Sequence, residues 1–375
     1  MSVLAILERM SRLKRGSSTS GLGAKFVEMP TPPEIVFDRF LRNTLPPAQR
    51  QIYKGKLDLD TVSHLPGMRE MLVGFQEGFQ QTLCDSPEQA EYVPHPPIHF
   101  DYIEATVPNA LAFLTEDFSF VGVTLPLILE LLHSCVLLSR SEDVGTLLAA
   151  IPGPDKPRRI IELLHSIQLS FVFAHEYTHI VHGHTLPATP ESMFADEIKN
   201  GGEGNIELQA QEVDADGYAS FLVLNDLLNG PRRALIVQRF GLEERPFHFR
   251  QPQSELEDLT LFGAFVLALG GYFYLRVPDV LDNVSVYNLT HPPQAVRMVF
   301  AMRVAMAVAT QNREHIASKM TPEKAEMFMG VTAKALHGSG GTVSWDDQNA
   351  FYRSEQGQNY TARLTECVKN MPPSG

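Results

Sequence analysis

The chain has 375 residues and a mass of 41.8 kDa, and 44% of its residues are hydrophobic and 20% charged. This composition is typical of a folded protein with a large core, and it excludes wholesale disorder. The 44 acidic residues outnumber the 31 basic ones, which gives a formal charge of −13. A broad basic surface is therefore not expected, and we predict no nucleic-acid partner.

Three cysteines lie far apart in the sequence, at Cys84, Cys135 and Cys367. They form no Cys-x-x-Cys pair, so the sequence predicts neither a thiolate metal site nor a disulfide framework. A reducing compartment is the simpler interpretation. The N-terminal segment is interrupted by Glu8 and lacks the basic-then-apolar order of a secretory signal. We therefore expect a cytoplasmic protein.

Two apolar stretches have the character of membrane spans. Residues 259–275 carry no charge over 17 positions, which is the lower end of the spanning range. Residues 118–138 are apolar but include Glu130 and His133. We interpret both stretches as buried core segments and predict no membrane span.

The sequence pattern predicts a mostly α protein of the α+β class, with a small β element. A Gly- and Ser-rich joint at 16–23 follows the N-terminal segment, and one helix is expected at 68–83. Residues 109–123 alternate around a turn, which indicates a strand or hairpin. Further helices are expected at 125–138, from 158 onward, and at 206–228, 256–275 and 293–310.

Three regions follow from this pattern. Residues 1–105 are expected to form an N-terminal helical and irregular region of unknown role, and residues 106–337 the main domain. Residues 338–375 begin with a Gly-rich stretch and are expected to form a flexible C-terminal tail. The long segment at 185–204, with two prolines and a glycine pair, is expected to be a loop.

The central motif is the pentapeptide His175-Glu176-Tyr177-Thr178-His179. The apolar stripe before it predicts a helix, on which residues four apart project from the same face. His175 and His179 can then direct their imidazoles at one Zn²⁺. Glu176 can act as a general base toward water at that metal. The alternative is a helix with two hydrogen-bonded, partly buried histidines and a surface glutamate.

A catalytic zinc site needs a third protein ligand and an open position. In a metzincin the third histidine would stand at position 185, which holds Thr185 and excludes that class. His182 and His184 are close by, but they lie where the helix reaches Gly183. We expect them to line, cap or support the site and not to bind the metal.

A better source of the third ligand lies 33 residues beyond His179. Glu212 and Asp216 are four apart on the next strong helix, so they face the same neighbour. One carboxylate can complete a His-His-Glu site, while the other accepts the free N–H of a ligand imidazole and fixes its tautomer. The alternative is a solvated acidic face that also includes Glu207 and Asp214.

Four segments in this order resemble the gluzincin metallopeptidases of family 48, which include the CAAX prenyl protease and its heat-shock and mitochondrial membrane relatives. The HExxHxxxxH motif of the family is matched by His175, Glu176, His179 and His184. Its ExxAD helix is matched by Glu212, Ala215 and Asp216. Residues 109–113 followed by 120–124 are similar to its segment leading into an edge strand. Thr290-His291-Pro292 with Arg297 is similar to its downstream segment.

The resemblance implies a zincin-like metallopeptidase domain with a small edge-strand sheet beside the HExxH helix and one Zn²⁺ between the two motif helices. It implies the following roles: zinc ligands His175, His179 and Glu212; base Glu176; supporting residues Asp216, which orients a ligand, and His184; a catalytic histidine near the metal that assists or blocks the open position, His291; and an anchor for that segment, Arg297. The alternative for His291 is an ordinary residue at a helix N-terminus, before Pro292.

The sequence therefore predicts a zinc-dependent endopeptidase acting on a protein or peptide substrate. The strand at about 118–123 is expected to be the edge strand and to bind extended substrate by strand addition. One alternative is a latent zinc-binding regulatory protein, its site blocked by His182, His184 or His291. The others are an antirepressor-type peptidase of a mobile element, which the short spacing between the motifs resembles, and a non-peptidase metallohydrolase.

Overall fold

The computed structural model describes residues 31–64, 67–85, 96–115, 117–184, 206–230, 233–243, 252–275, 286–289, 291–338 and 350–371. The N-terminal segment, the joint at 16–23 and the loop at 185–204 lie outside these residues. The described part is mostly helical with one small mixed sheet. This confirms the predicted mostly α, α+β fold class.

The chain divides into two compact units. Of the described residues, 130–175 and 206–371 belong to a helical unit, and 31–129 and 176–184 belong to a sheet unit. The division falls inside one continuous helix, between His175 and Glu176. These units differ from the regions predicted at 1–105, 106–337 and 338–375.

The sheet unit combines short helices with four strands. Its elements are α1 (Pro33–Arg39), a π-helical turn (Phe40–Thr44), α2 (Pro47–Ile52), β1 (Tyr53–Lys56), a 3-10 turn (Leu59–Val62), α3 (Met68–Asp85), β2 (Ile98–Ala105), β3 (Ala110–Leu114) and β4 (Ser119–Thr124). Helix α4 (Leu125–Ser139) starts directly after β4. Aromatic side chains fill the core beneath the sheet, where the Phe40 and Phe113 rings stack with centroids 4.5 Å apart.

The sheet has the order β1-β2-β4-β3. Strands β3 and β4 form the predicted antiparallel hairpin, with Ala112 opposite Val121. The prediction that residues 118–123 form the edge strand is wrong, because β4 also pairs in parallel with β2 on its other side. Of the described strands, β3 and β1 are the edges. The alternating pattern identifies a strand but carries no information on a partner that comes earlier in the chain.

The helical unit is built from long helices around a large apolar core. Its elements after α4 are α5 (Glu142–Leu147), α6 (Lys156–Val181), α7 (Ile206–Asn229), α8 (Arg233–Arg239), α9 (Gln253–Tyr274), a 3-10 turn (Val286–Asn288), α10 (Gln294–Asn312), α11 (Glu314–Lys319), α12 (Pro322–His337) and α13 (Glu355–Asn370). The long helices predicted from apolar periodicity are confirmed to within a few residues. Helices α5, α8, α11, α12 and α13 were not predicted.

Helix α9 is both long and strongly apolar. By length and composition, it is the one helix of the described residues that could cross a membrane, and 89% of its most apolar 18-residue window is buried inside the protein. The core helix of a protein that does not cross a membrane can have the same length and composition. Its burial agrees with the interpretation of residues 259–275 as a core segment.

Helix α13 lies in the region that the sequence placed in a flexible tail. Ser354 caps it by accepting a hydrogen bond from the Gly357 N–H at 3.1 Å. Tyr360 and Leu364 are completely buried, and Val368 is nearly so. Three apolar residues at helical spacing in an otherwise polar segment therefore suffice to pack this helix, because α7 and α10 supply the facing apolar surface.

Candidate metal centre

The HExxH motif lies on α6, which runs without a break from Lys156 to Val181. Two residues after the helix ends, Gly183 has a φ of 69°, in the left-handed region typical of helix C-termini. The His184 N–H closes the last turn by donating to the His179 carbonyl at 2.8 Å. The predicted helix is confirmed, and it places His175 and His179 one turn apart on the same face.

Helix α7 carries the second pair of predicted residues. Asp216 is completely buried, and the Glu212 side chain keeps 16% of its surface exposed. Ala215 and Ala219 are completely buried, and their small side chains allow neighbouring elements to pack closely against this face. Asp214 is also buried, with 4% exposure. The burial of these carboxylates excludes the alternative of a solvated acidic face.

The His175 imidazole lies between the two carboxylates. Its Nε2 is 3.5 Å from Glu212 Oε2, and its Nδ1 is 3.0 Å from Asp216 Oδ1. The two acids therefore face different ring nitrogens. An Nδ1–H donated to Asp216 leaves Nε2 as the atom that can bind a metal, on the side of Glu212.

Arg297 completes this buried network from α10. It donates to both oxygens of Asp216, from Nε at 2.7 Å and from a terminal nitrogen at 2.8 Å. The same guanidinium lies 3.2 Å from Glu212 Oε2 and 5.6 Å from the centroid of the Phe273 ring. This bidentate geometry holds both the position and the charge of Asp216. The role predicted for Arg297, as an anchor of the segment around His291, remains a prediction.

The network shifts the protonation of its members. Burial acts to raise the pKa of Asp216, but Arg297 and His175 together hold it below its ordinary value. Burial acts to lower the pKa of His175, but its hydrogen bonds and charge interactions with Asp216 and Glu212 raise it to about 10. A metal ion that binds His175 would displace this proton, so binding and proton release are coupled.

Three of the predicted residues can share one metal ion. His175, His179 and Glu212 each offer one ligand atom, and these atoms all lie within 4.8 Å of one another. Two imidazoles and one carboxylate are the donor set of catalytic zinc sites that keep a fourth position open. The residues present therefore fit the zinc ion that the motif implies.

Two further predicted histidines lie near these groups. His291 Nε2 is 3.8 Å from Glu212 Oε2, and 47% of the His291 side chain is exposed. His184 Nδ1 lies 3.2 Å from His179 Nδ1. Glu176 is half-buried on α6, next to His175. The roles predicted for these three residues remain predictions.

A second group of potential metal-binding atoms was not predicted. It comprises His182, His184 and Asp214, whose ligand atoms also lie within 4.8 Å of one another. Asp214 stands in the acidic run of α7, where the sequence alone does not separate a buried carboxylate from a solvated one. The number of metal ions bound per chain is therefore a useful quantity to measure.

Comparisons with protein-family models, with curated proteins and with solved structures found no match. The resemblance to gluzincin metallopeptidases therefore remains a prediction from the sequence motifs.

Proposed function

We propose that this protein is a zinc-dependent endopeptidase whose metal is held by His175, His179 and Glu212. The observation that carries the proposal is the His175 imidazole, held between a fully buried and a partly buried carboxylate. A helix with ordinary buried histidines does not require two acids and an arginine around one ring. Positioned carboxylates of this kind orient metal-binding imidazoles and raise their basicity.

The chain's own residues would divide the reaction among them. When bound, zinc would polarise the scissile carbonyl and lower the pKa of water. Glu176 would accept a proton from the attacking water and pass it to the leaving amine. Asp216 would keep the Nδ1 proton of His175 in place, and Arg297 would keep Asp216 ionised.

We propose that the substrate is an extended peptide segment that adds to the edge strand β3. Among the described strands, β3 pairs only with β4, which makes it an edge at which a further strand could pair. Main-chain hydrogen bonds would provide affinity with modest side-chain selectivity. This assigns to β3 the role that the sequence assigned to residues 118–123.

The mechanism is tested by Glu176→Gln. We expect this variant to retain zinc, since Glu176 is not a proposed ligand, and to lose turnover, since the amide cannot accept the proton. Cleavage of a denatured protein and zinc content by elemental analysis are the measurements. Glu162→Gln, also on α6, is the matched control and should keep full activity. Undiminished proteolysis by Glu176→Gln would refute the mechanism.

The position of His291 favours one alternative, a latent zinc-binding regulator. His291 Nε2 is close enough to Glu212 Oε2 to join the same ligand set, and a fourth protein ligand would fill the open position. X-ray absorption of the zinc-loaded protein distinguishes four protein ligands from three plus solvent. A latent protein should gain proteolysis on His291→Ala, whereas an active enzyme should not.

A further inference from the structure

We infer that the C-terminal helix α13 positions His291 at the candidate metal centre, through the buried side chains of Tyr360 and Gln209. The functional consequence of this inference rests on the proposed metal site. Its geometry depends only on contacts within the helical unit, so the two can fail separately.

The first contact joins α13 to α7. The Tyr360 hydroxyl donates a hydrogen bond to Gln209 Oε1 at 2.8 Å, and both residues are completely buried. Gln209 stands three residues before Glu212 on the same helix. One buried hydrogen bond therefore links the C-terminal helix to the turn of α7 that carries the proposed glutamate ligand.

The second contact joins the same amide to the 3-10 turn at Val286–Asn288. Gln209 Nε2 donates to the Val286 carbonyl at 2.9 Å and to the Leu289 carbonyl at 2.6 Å. Both amide protons of Gln209 are thus used on this one segment. The amide acts as a bridge: its oxygen is held by α13, and its nitrogen holds the segment that leads to His291.

Apolar packing supports the same bridge. Val286 is completely buried in one cluster with Tyr360 and other residues of α13. The Tyr287 ring meets the Tyr360 ring edge to face, with centroids 5.4 Å apart. The Arg363 guanidinium lies 5.0 Å from the centroid of the Tyr287 ring, within cation–π range.

These contacts determine where His291 lies. Leu289 is two residues before His291, and α10 begins three residues after it. The segment is therefore held by Gln209 on one side and by the start of α10 on the other. Loss of the α13 contacts would release the first of these restraints and increase the range of distances between His291 and Glu212. Tyr360 and Gln209 are thus positioning residues for the proposed site.

The test is a double-mutant cycle between Tyr360→Phe and His291→Ala, with Co²⁺ as a spectroscopic substitute for zinc. We expect His291→Ala alone to weaken Co²⁺ binding about tenfold, the lower end of the range for groups that support a metal site. In the Tyr360→Phe background the same change should cost less than about twofold, since His291 is no longer held in place. Equal effects in the two backgrounds, or no effect in either, would overturn the inference.

The control is Tyr352→Phe, which removes a hydroxyl from the same C-terminal region. The Tyr352 hydroxyl accepts a hydrogen bond from Arg303, away from Gln209. This variant should leave the effect of His291→Ala at its full size. A purely structural role of α13 predicts that both tyrosine variants change stability and neither changes the coupling.

Amide hydrogen exchange tests the geometry without any metal. Arg363→Ala removes an exposed side chain that contacts Tyr287, and it should speed exchange in peptides covering residues 286–291. Arg353→Ala, which removes an exposed ion pair with Glu326, is its control and should not. If the protein binds no metal, the proposed function fails, and this measurement still decides the inference. Unchanged exchange in both Arg363→Ala and Tyr360→Phe would overturn it.

Discussion

At His175, acidic and basic side chains alternate in a largely buried network. The two carboxylates that face its ring share a single arginine, Arg297, on their other side. Two negative charges against one permanent positive charge leave an excess of one. Either a proton on His175 or a bound cation offsets this excess, and in both cases the buried acids remain ionised. The network is therefore suited to exchange a proton for a metal ion.

Asp216→Asn tests this balance. It removes one of the two charges that face Arg297, so we expect the free energy of unfolding to fall by about 3 kcal/mol, as for a broken buried ion pair. It also weakens the orientation of His175, and zinc affinity should fall by about 10- to 100-fold. Urea unfolding and zinc titration are the measurements. Asp226→Asn, on the same helix but only partly buried, should leave zinc affinity unchanged, and unchanged zinc affinity in Asp216→Asn would count against the assigned role.

The cysteines allow a separate test at the residue scale. Cys135 is completely buried and donates to Gln168 Oε1 at 3.1 Å, and burial raises the pKa of its thiol. Cys367 is partly exposed. Because the thiolate is the reactive form, a thiol reagent at pH 8 should label Cys367 well before Cys135. Mass spectrometry of the labelled peptides measures the order, and both sites should react once the protein is unfolded in denaturant.

At the scale of elements, local patterns predicted the long helices and the β3–β4 hairpin but not the order of the strands in the sheet. Helices α7 and α9 carry enough apolar residues at helical spacing to be located within a few residues. The edge of the sheet was assigned wrongly because β2 precedes β4 by about twenty residues and pairs with it in parallel. Such pairing depends on long-range contacts that leave no local pattern.

The candidate site shows the same limit. The residues at four-residue spacing on α6 and α7 could be predicted, because a helix fixes their relative direction. The contact between Gln209 and Tyr360 could not, because these residues are 151 positions apart. Both belong to common residue types with no motif, so only the packed structure brings them together.

Helix packing leads to a prediction on two glycines of facing helices. A Cβ added at Gly270 of α9 would lie 2.9 Å from Thr332 Cγ2 of α12, whereas one added at Gly330 of α12 would meet nothing within 4 Å. Gly270→Ala should therefore lower the free energy of unfolding by about 1–3 kcal/mol. Gly330→Ala should raise it by up to about 1 kcal/mol, because alanine is the better helix former.

Chemical denaturation of the two glycine variants gives both values. Because the substitutions are identical, the difference between them isolates the close approach of α9 and α12. Similar effects of the two changes would mean that these helices are not packed as closely as the structure shows.

For the whole molecule, the formal charge of −13 provides a second, non-specific way of attracting metal ions. An acidic protein attracts divalent cations to many weak surface positions. A specific site differs in its ligand chemistry. Imidazole nitrogens bind zinc well, whereas Mg²⁺ prefers an all-oxygen set of ligands. General attraction would make the two ions similar, and the proposed site would not.

We therefore expect zinc, but not Mg²⁺, to stabilise the folded protein. Free zinc at one hundred times its dissociation constant should add about 2.7 kcal/mol to the free energy of unfolding. Glu212→Ala should abolish most of this gain, since it removes the proposed third ligand. Glu207→Ala removes an exposed glutamate from the same helix and should preserve the gain. Thermal unfolding, with and without a chelator, measures the stabilisation by zinc and by Mg²⁺ and the stabilisation of each variant by zinc. Equal stabilisation of the two variants by zinc would mean that zinc acts through the surface charge.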